Sequence, residues 1–128
     1  MRLSALLALA AIALPYSVAE AAQDPYSYAE PDRVRVRHAD LDLALDFPAR
    51  VIAGTVTLEL DWRDAKAATL DLDTRDLVIE RVEALDDAGH AQALRYTLAA
   101  PDAELGSKLS IAAPAHPARV RIAYRSAP

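Results

Sequence analysis

The strongest constraint on this chain is a two-residue period. From Ile52 to Trp62 the residues Ile52, Gly54, Val56, Leu58, Leu60 and Trp62 alternate with Thr55, Thr57, Glu59 and Asp61. Successive side chains of an extended strand point to opposite faces, so such a run buries one face and solvates the other. A similar run precedes it, with Val34 and Val36 on one phase and Leu41, Leu43, Leu45 and Phe47 on the other. The phase change near Ala39-Asp40 predicts a bulge or bend. Pro48-Ala49-Arg50 joins the two runs into a long hairpin. Its strands, at about 13 to 15 residues, exceed the usual length, which predicts strong twist or passage from one sheet to another.

Further strands follow at short intervals. A polar turn at Arg63 to Lys66 leads to Leu70 and Leu72, which alternate with Asp71 and Asp73. Asp73-Thr74-Arg75-Asp76 reads as a turn, because these side chains bond locally to backbone. Leu77, Ile79 and Val82 come next, and the broken spacing before Val82 predicts a second bulge. Asp86-Asp87-Ala88-Gly89 is a hairpin-type turn, followed by weaker strands at Leu94-Tyr96-Leu98 and Leu109-Ile111. In the last element Val120, Ile122 and Tyr124 face one way and Arg119, Arg121 and Arg125 the other. About seven strands, with no helical periodicity after the start of the chain, predict an all-β fold, a twisted β-sandwich.

The start of the chain is different. Of the first 22 residues 17 are apolar, which lifts the whole-chain hydrophobic content to 53%; the other 106 residues are about 48% apolar, near the ordinary globular value. Arg2 precedes an apolar run from Leu3 to Leu14, too short to span a bilayer, which needs roughly 20 residues. Pro15 ends the run, and Ser17-Val18-Ala19 and Ala19-Glu20-Ala21 offer small residues at the cleavage positions. Residues 1–21 are therefore expected to be a secretory signal peptide, cut after Ala19 or Ala21. The mature chain is expected in a bacterial periplasm or outside the cell, with no membrane attachment after cleavage. Residues 22–32, polar and carrying Pro25 and Pro31, read as a flexible lead-in to a domain over 33–128.

Chemistry is sparse. The chain has no Cys, which excludes disulfides, a cysteine nucleophile and thiolate metal sites. A net charge of −5 argues against nucleic acid as a partner. His38, His90 and His116 are too far apart in sequence for a helical metal pair, and they read as isolated surface or edge residues. Asp71 and Asp73 alternate with leucines and are expected in solvent, with Asp76 in a turn. Ser107 and Ser110 lie outside any Gly-x-Ser-x-Gly elbow. Gly54, Gly89 and Gly106 are too scattered for a phosphate loop. The Arg119, Arg121 and Arg125 stripe reads as a solvated face or interface rim. Trp62, in phase with Leu58 and Leu60, reads as core rather than, with Tyr96, a sugar-stacking platform. No catalytic, cofactor-binding or metal-binding residue is assigned.

One resemblance adds to this. Arg37-His38, Leu41-x-Leu43, Asp46-Phe47, Gly54-Thr55-Val56-Thr57-Leu58, Leu70-x-Leu72-Asp73-Thr74-Arg75-Asp76-Leu77-x-Ile79 and Ile122-x-Tyr124-x-Ser126 occur in an order and spacing that resembles the start of zinc aminopeptidases of the aminopeptidase N superfamily, most closely the leukotriene hydrolase branch. The resemblance implies a saddle-shaped N-terminal β domain, incomplete at its C-terminus, in a fragment or truncated gene product. It implies that zinc, the His-Glu-x-x-His helix and the Gly-x-Met-Glu-Asn loop belong to a catalytic domain absent from these residues. The expected partner is that domain, with peptide substrate met only through the missing region. It also implies an exposed apolar patch where the two domains would meet. The competing expectation is a stand-alone exported β-sandwich that binds a protein or glycan through the Arg stripe and Trp62.

Overall fold

The alternating runs form the hairpin. In the computed structural model, which describes residues 23–128, β1 (Val34–Asp46) and β2 (Val51–Trp62) pair antiparallel along their whole length, from Val34 opposite Trp62 to Asp46 opposite Val51. The expected signal peptide lies outside the described residues. The bulge in β1 falls between Val36 and His38, slightly earlier than the phase change suggested, and leaves Arg37 without a partner of its own. Both long strands stay in one sheet rather than passing to another.

The remaining elements are β3 (Thr69–Thr74), β4 (Leu77–Leu85), β5 (Ala91–Ala93), β6 (Tyr96–Leu98), β7 (Ser107–Ala112) and β8 (Arg119–Ser126). They complete a five-stranded sheet, order β1-β2-β8-β4-β5, and a three-stranded sheet, order β3-β7-β6. All pairings are antiparallel. The bulge expected before Val82 lies between Ile79 and Arg81.

The described residues thus hold eight strands where about seven were expected. The Leu94-Tyr96-Leu98 run is the reason, because it changes sheet partway. The Leu94 amide donates to Val82 O in the large sheet at 2.9 Å, while the Arg95 carbonyl accepts from Ala112 N beside the small sheet at 2.9 Å. Ala91–Ala93 pairs with β4 before the crossing, a short strand with no apolar alternation to announce it.

The core forms where the two sheets face each other. Val82 and Val120 of the large sheet and Leu70, Leu109 and Ile111 of the small sheet are essentially fully buried, with Leu58, Leu60 and Ile122 beside them. Tyr96 ties the sheets together: its hydroxyl donates to Ile79 O across the sandwich at 3.0 Å. The small sheet is also fastened at its ends. Thr74 Oγ1 donates to Ser107 O at 2.8 Å, and Arg75 donates from Nη2 to Glu104 O at 2.5 Å, clamping the β3–β4 turn to the loop before β7.

Two glycines are required by close approach. A Cβ at Gly54 would overlap the Asp42 carbonyl oxygen on β1, and one at Gly106, where φ is +74°, would overlap the Thr74 carbonyl oxygen. Gly54→Ala is therefore expected to destabilise the domain by more than about 1 kcal/mol. Ile111→Ala, which empties a fully buried site, is expected to cost about 2–5 kcal/mol. Urea unfolding of the purified chain measures both, and a loss below about 1 kcal/mol at Ile111 would contradict this account of the core.

Candidate functional site

The inner face of the large sheet is longer than its cover. Register places Leu41 opposite Val56, Leu43 opposite Gly54 and Leu45 opposite Ile52, and then Val56 opposite Ile122 and Gly54 opposite Tyr124. These residues continue the face that carries Leu58, Leu60 and Val120 into the core. Toward the hairpin tip the small sheet no longer covers them. Leu41 is 56% exposed, Leu45 58%, Ile52 42% and Phe47, in the connecting turn, 80%. Where covered and uncovered regions meet, a cleft of about 330 Å³ opens, lined by Val36, Leu41, Val56, Leu72, Leu77 and Tyr124 among others. Isolated exposed apolar residues are ordinary, but a contiguous strip leading into a cleft marks an interaction surface.

The strip follows directly from the local sequence. Past the bulge, β1 places Leu41, Leu43 and Leu45 on one face and Asp40, Asp42 and Asp46 on the other. The bare backbone of Gly54 lets β1 lie close to β2 at Leu43 and leaves a shallow place in the strip between Val56 and Ile52. The apolar patch expected from the resemblance therefore exists, and it lies on β1 and β2.

The residues singled out by sequence have other work. The Arg stripe on β8 is engaged within the chain. Arg121 donates to Glu83 Oε2 from Nε at 3.2 Å and Nη2 at 2.9 Å, Arg125 Nε lies 3.3 Å from Glu80 Oε1, and Arg119 donates to the Asp86 carbonyl. Arg81 adds a second cation at 3.0 Å from Glu83. Arg121 and Arg125 are thus held by carboxylates, whereas Arg119 is held by a neutral backbone carbonyl.

Trp62 and Tyr96 make no open platform. Trp62 stacks on His116 with centroids 4.5 Å apart and planes inclined by 12°, and its Nε1 donates to Pro117 O at 2.9 Å. Tyr96 is packed against the core, with its hydroxyl spent on Ile79. His116 is therefore not the isolated surface residue expected. It is half-buried, at φ +50°, and its Nε2 is hydrogen-bonded to Ala67 O. His38 is exposed on β1, and His90 is exposed with Nδ1 2.9 Å from Asp86 Oδ2 in the β4–β5 turn.

Asp71 corrects a second expectation. Its side chain is only 12% exposed, accepting from Ser110 Oγ at 2.7 Å and lying 2.8 Å from Lys108 Nζ. Alternation puts Asp71 on the outer face of the small sheet, as expected. That face is polar and internally paired there, so the carboxylate is covered rather than solvated. Asp73 is exposed and receives Ser27 Oγ at 2.6 Å and Tyr28 N at 2.7 Å, tying the segment before β1 to β3. Asp76 lies in the β3–β4 turn at φ +54°. Among the described residues no group of three or more His, Asp or Glu side chains is placed to hold a metal ion.

A fold of this kind, two antiparallel sheets with one overhanging the other, has solved relatives. The yeast leukotriene A4 hydrolase in complex with bestatin matches 88% of this chain at 25% identity with a TM-score of 0.71, and the native yeast enzyme matches 89% at the same identity and TM-score. In sequence, the leukotriene A-4 hydrolase of Xenopus laevis is 39% identical over 59 residues, 46% of this chain. This chain spans 17% of the yeast enzyme and 10% of the Xenopus one, and the likeness falls on the N-terminal region. No protein-family profile matches the chain. It is thus similar to the N-terminal domain of an aminopeptidase-type metallopeptidase family.

The Glu83 pair makes stability depend on pH. The hydrogen bond from Arg121 holds the Glu83 carboxyl below its ordinary value of 4.5, partial burial opposes this, and Arg81 adds to the lowering. A group whose folded pKa is depressed stabilises the fold above its unfolded value and loses that contribution as pH falls through the folded value. Glu83→Gln is expected to flatten the loss of stability below about pH 4.5. Urea unfolding of both proteins at pH 7 and pH 3 measures it, and equal losses in the two would contradict the assignment.

Proposed function

We propose that this chain is the non-catalytic N-terminal β domain of an exported zinc metallo-aminopeptidase of the leukotriene hydrolase branch. Its task is structural: the uncovered strip at Leu41, Leu43, Leu45 and Ile52 packs against a catalytic domain that carries the zinc and meets the peptide substrate. The observation that carries this reading is the overhang itself, an apolar sheet face built by strict alternation and left without a cover. The likeness to leukotriene A4 hydrolases in sequence and fold supports it.

Export is part of the proposal and rests on the sequence of the first residues. Arg2, the apolar run from Leu3 to Leu14 and the small residues before Ala19 and Ala21 support passage to the periplasm or beyond. The competing role as a stand-alone protein or glycan binder is less well supported, since Arg121 and Arg125 are paired with Glu83 and Glu80 and Trp62 is stacked on His116.

The purified chain is expected to contain no stoichiometric zinc and to leave aminoacyl anilides uncleaved. It is also expected to bind a hydrophobic dye, with binding reduced severalfold by the double substitution Leu43→Ser and Leu45→Ser. Zinc-dependent turnover by the chain alone would overturn the scaffold role, and the absence of dye binding would overturn the docking strip. The reading frame beyond the Pro128 codon is expected to encode His-Glu-x-x-His.

A further inference from the structure

One set of charges on the domain has no partner inside it. On the outer face of the large sheet Arg81, Arg121 and Arg125 are paired with Glu83 and Glu80, but Arg35, Arg37, Asp40 and Asp42 on β1 make no ion pair among the described residues, and all are exposed. β1 is also an edge strand, 13 residues long, hydrogen-bonded only to β2 among the described residues. Its other edge presents a row of backbone donors and acceptors to solvent. The charges along it are divided: Arg35 and Arg37 precede Asp40, Asp42 and Asp46.

We propose that β1 pairs antiparallel with β1 of a second copy of this chain, about a two-fold axis passing through Ala39, joining two five-stranded sheets into one. The partner is identified by self-complementarity. With the axis there, Arg35 faces Asp42 and Arg37 faces Asp40 of the other copy, and each pair occurs twice by symmetry. The same register sets Val36 against Leu41 and Val34 against Leu43 on the inner face.

The bulge makes this possible. Val34 and Val36 lie on the inner face at even positions, and Ala39, Leu41 and Leu43 lie there at odd ones, because Arg37 and His38 together stand opposite Glu59. Counted as one position, Arg37 and His38 together face Asp40 of the other copy, Ala39 faces Ala39, and each face stays continuous. Moving the axis by one position one way sets Arg37 against Arg37 of the other copy, and moving it the other way sets Asp40 against Asp40. Like charges directly opposite each other destabilise a strand pair and opposite charges stabilise it, so the charge order selects one register. The proposed contact is made along the edge; it shares Leu41 and Leu43 with the apolar strip but leaves Leu45, Phe47 and Ile52 outside it, and it does not depend on the proposed scaffold role.

Sedimentation equilibrium of the purified chain tests it, together with the variants Arg35→Asp, Asp42→Arg and the double exchange. The chain is expected to form a dimer that weakens at high salt. Each single reversal is expected to weaken association about tenfold or more, and the double exchange to restore it. Far-UV circular dichroism and the urea midpoint of each variant confirm that the domain remains folded. A monomer at all concentrations would overturn the proposal. So would a dimer unmoved by the single reversals, or one abolished by Leu45→Ser and Phe47→Ser alone, which would place the contact on the apolar strip instead.

Discussion

The structure depends on covering the inner face of a large sheet with a smaller one. Val82 and Val120 on one side and Leu70, Leu109 and Ile111 on the other close into a dry contact, and apolar burial there is the main source of stability for a domain without disulfides. The cover consists of strands of six, three and six residues, while the hairpin beneath it has strands of 13 and 12. The mismatch leaves the tip of the hairpin apolar and bare. Had the strip at Leu41, Leu43 and Leu45 served only this domain, polar residues there would have cost nothing to its core. Their retention in phase with the buried face is the physical ground for assigning it a second surface.

The charged residues divide by where their partners lie. Across β8 and β4 Arg121 is paired with Glu83 and Arg125 with Glu80, and on the small sheet Asp71, Lys108 and Ser110 form a closed set. These contacts hold the side chains against their own sheets and reduce the binding potential of those faces. The charges of β1 are left over, on the one long strand whose backbone edge is also free. Apolar docking thus uses the inner face of the hairpin and edge pairing its outer margin, with Leu41 and Leu43 common to both.

Much of this was legible in the residue order. The β1–β2 hairpin follows from unbroken alternation and the Pro48-Ala49-Arg50 turn, and the bulge before Val82 from a single break in period. The change of sheet at Leu94-Arg95 was not legible, because alternation reports which face a side chain takes and is silent about which sheet the strand joins. Asp71 shows the same limit from another side: its outward direction was predictable, but its neighbours on β7 lie 37 and 39 positions away in sequence. The His116–Trp62 stack likewise depends on a turn far from Trp62 that no local pattern announces. For the candidate site, the apolar strip could be read as a strand face, and the resemblance to aminopeptidases supplied the expectation that it would be exposed. Its bareness depends on the length of the small sheet, which is a property of the assembled fold.

Under the proposed role the domain needs chemistry only at its contact surface, and the exposed leucines of the strip lie on one hairpin. Hydroxyl-radical footprinting tests the central claim most directly, comparing the chain alone with the longer protein that the proposed role requires. The account predicts strong labelling of Leu41, Leu43, Leu45 and Phe47 in the isolated chain and a severalfold drop in the longer protein, with Val78 on the opposite face unchanged. Equal labelling of the strip in both would contradict it.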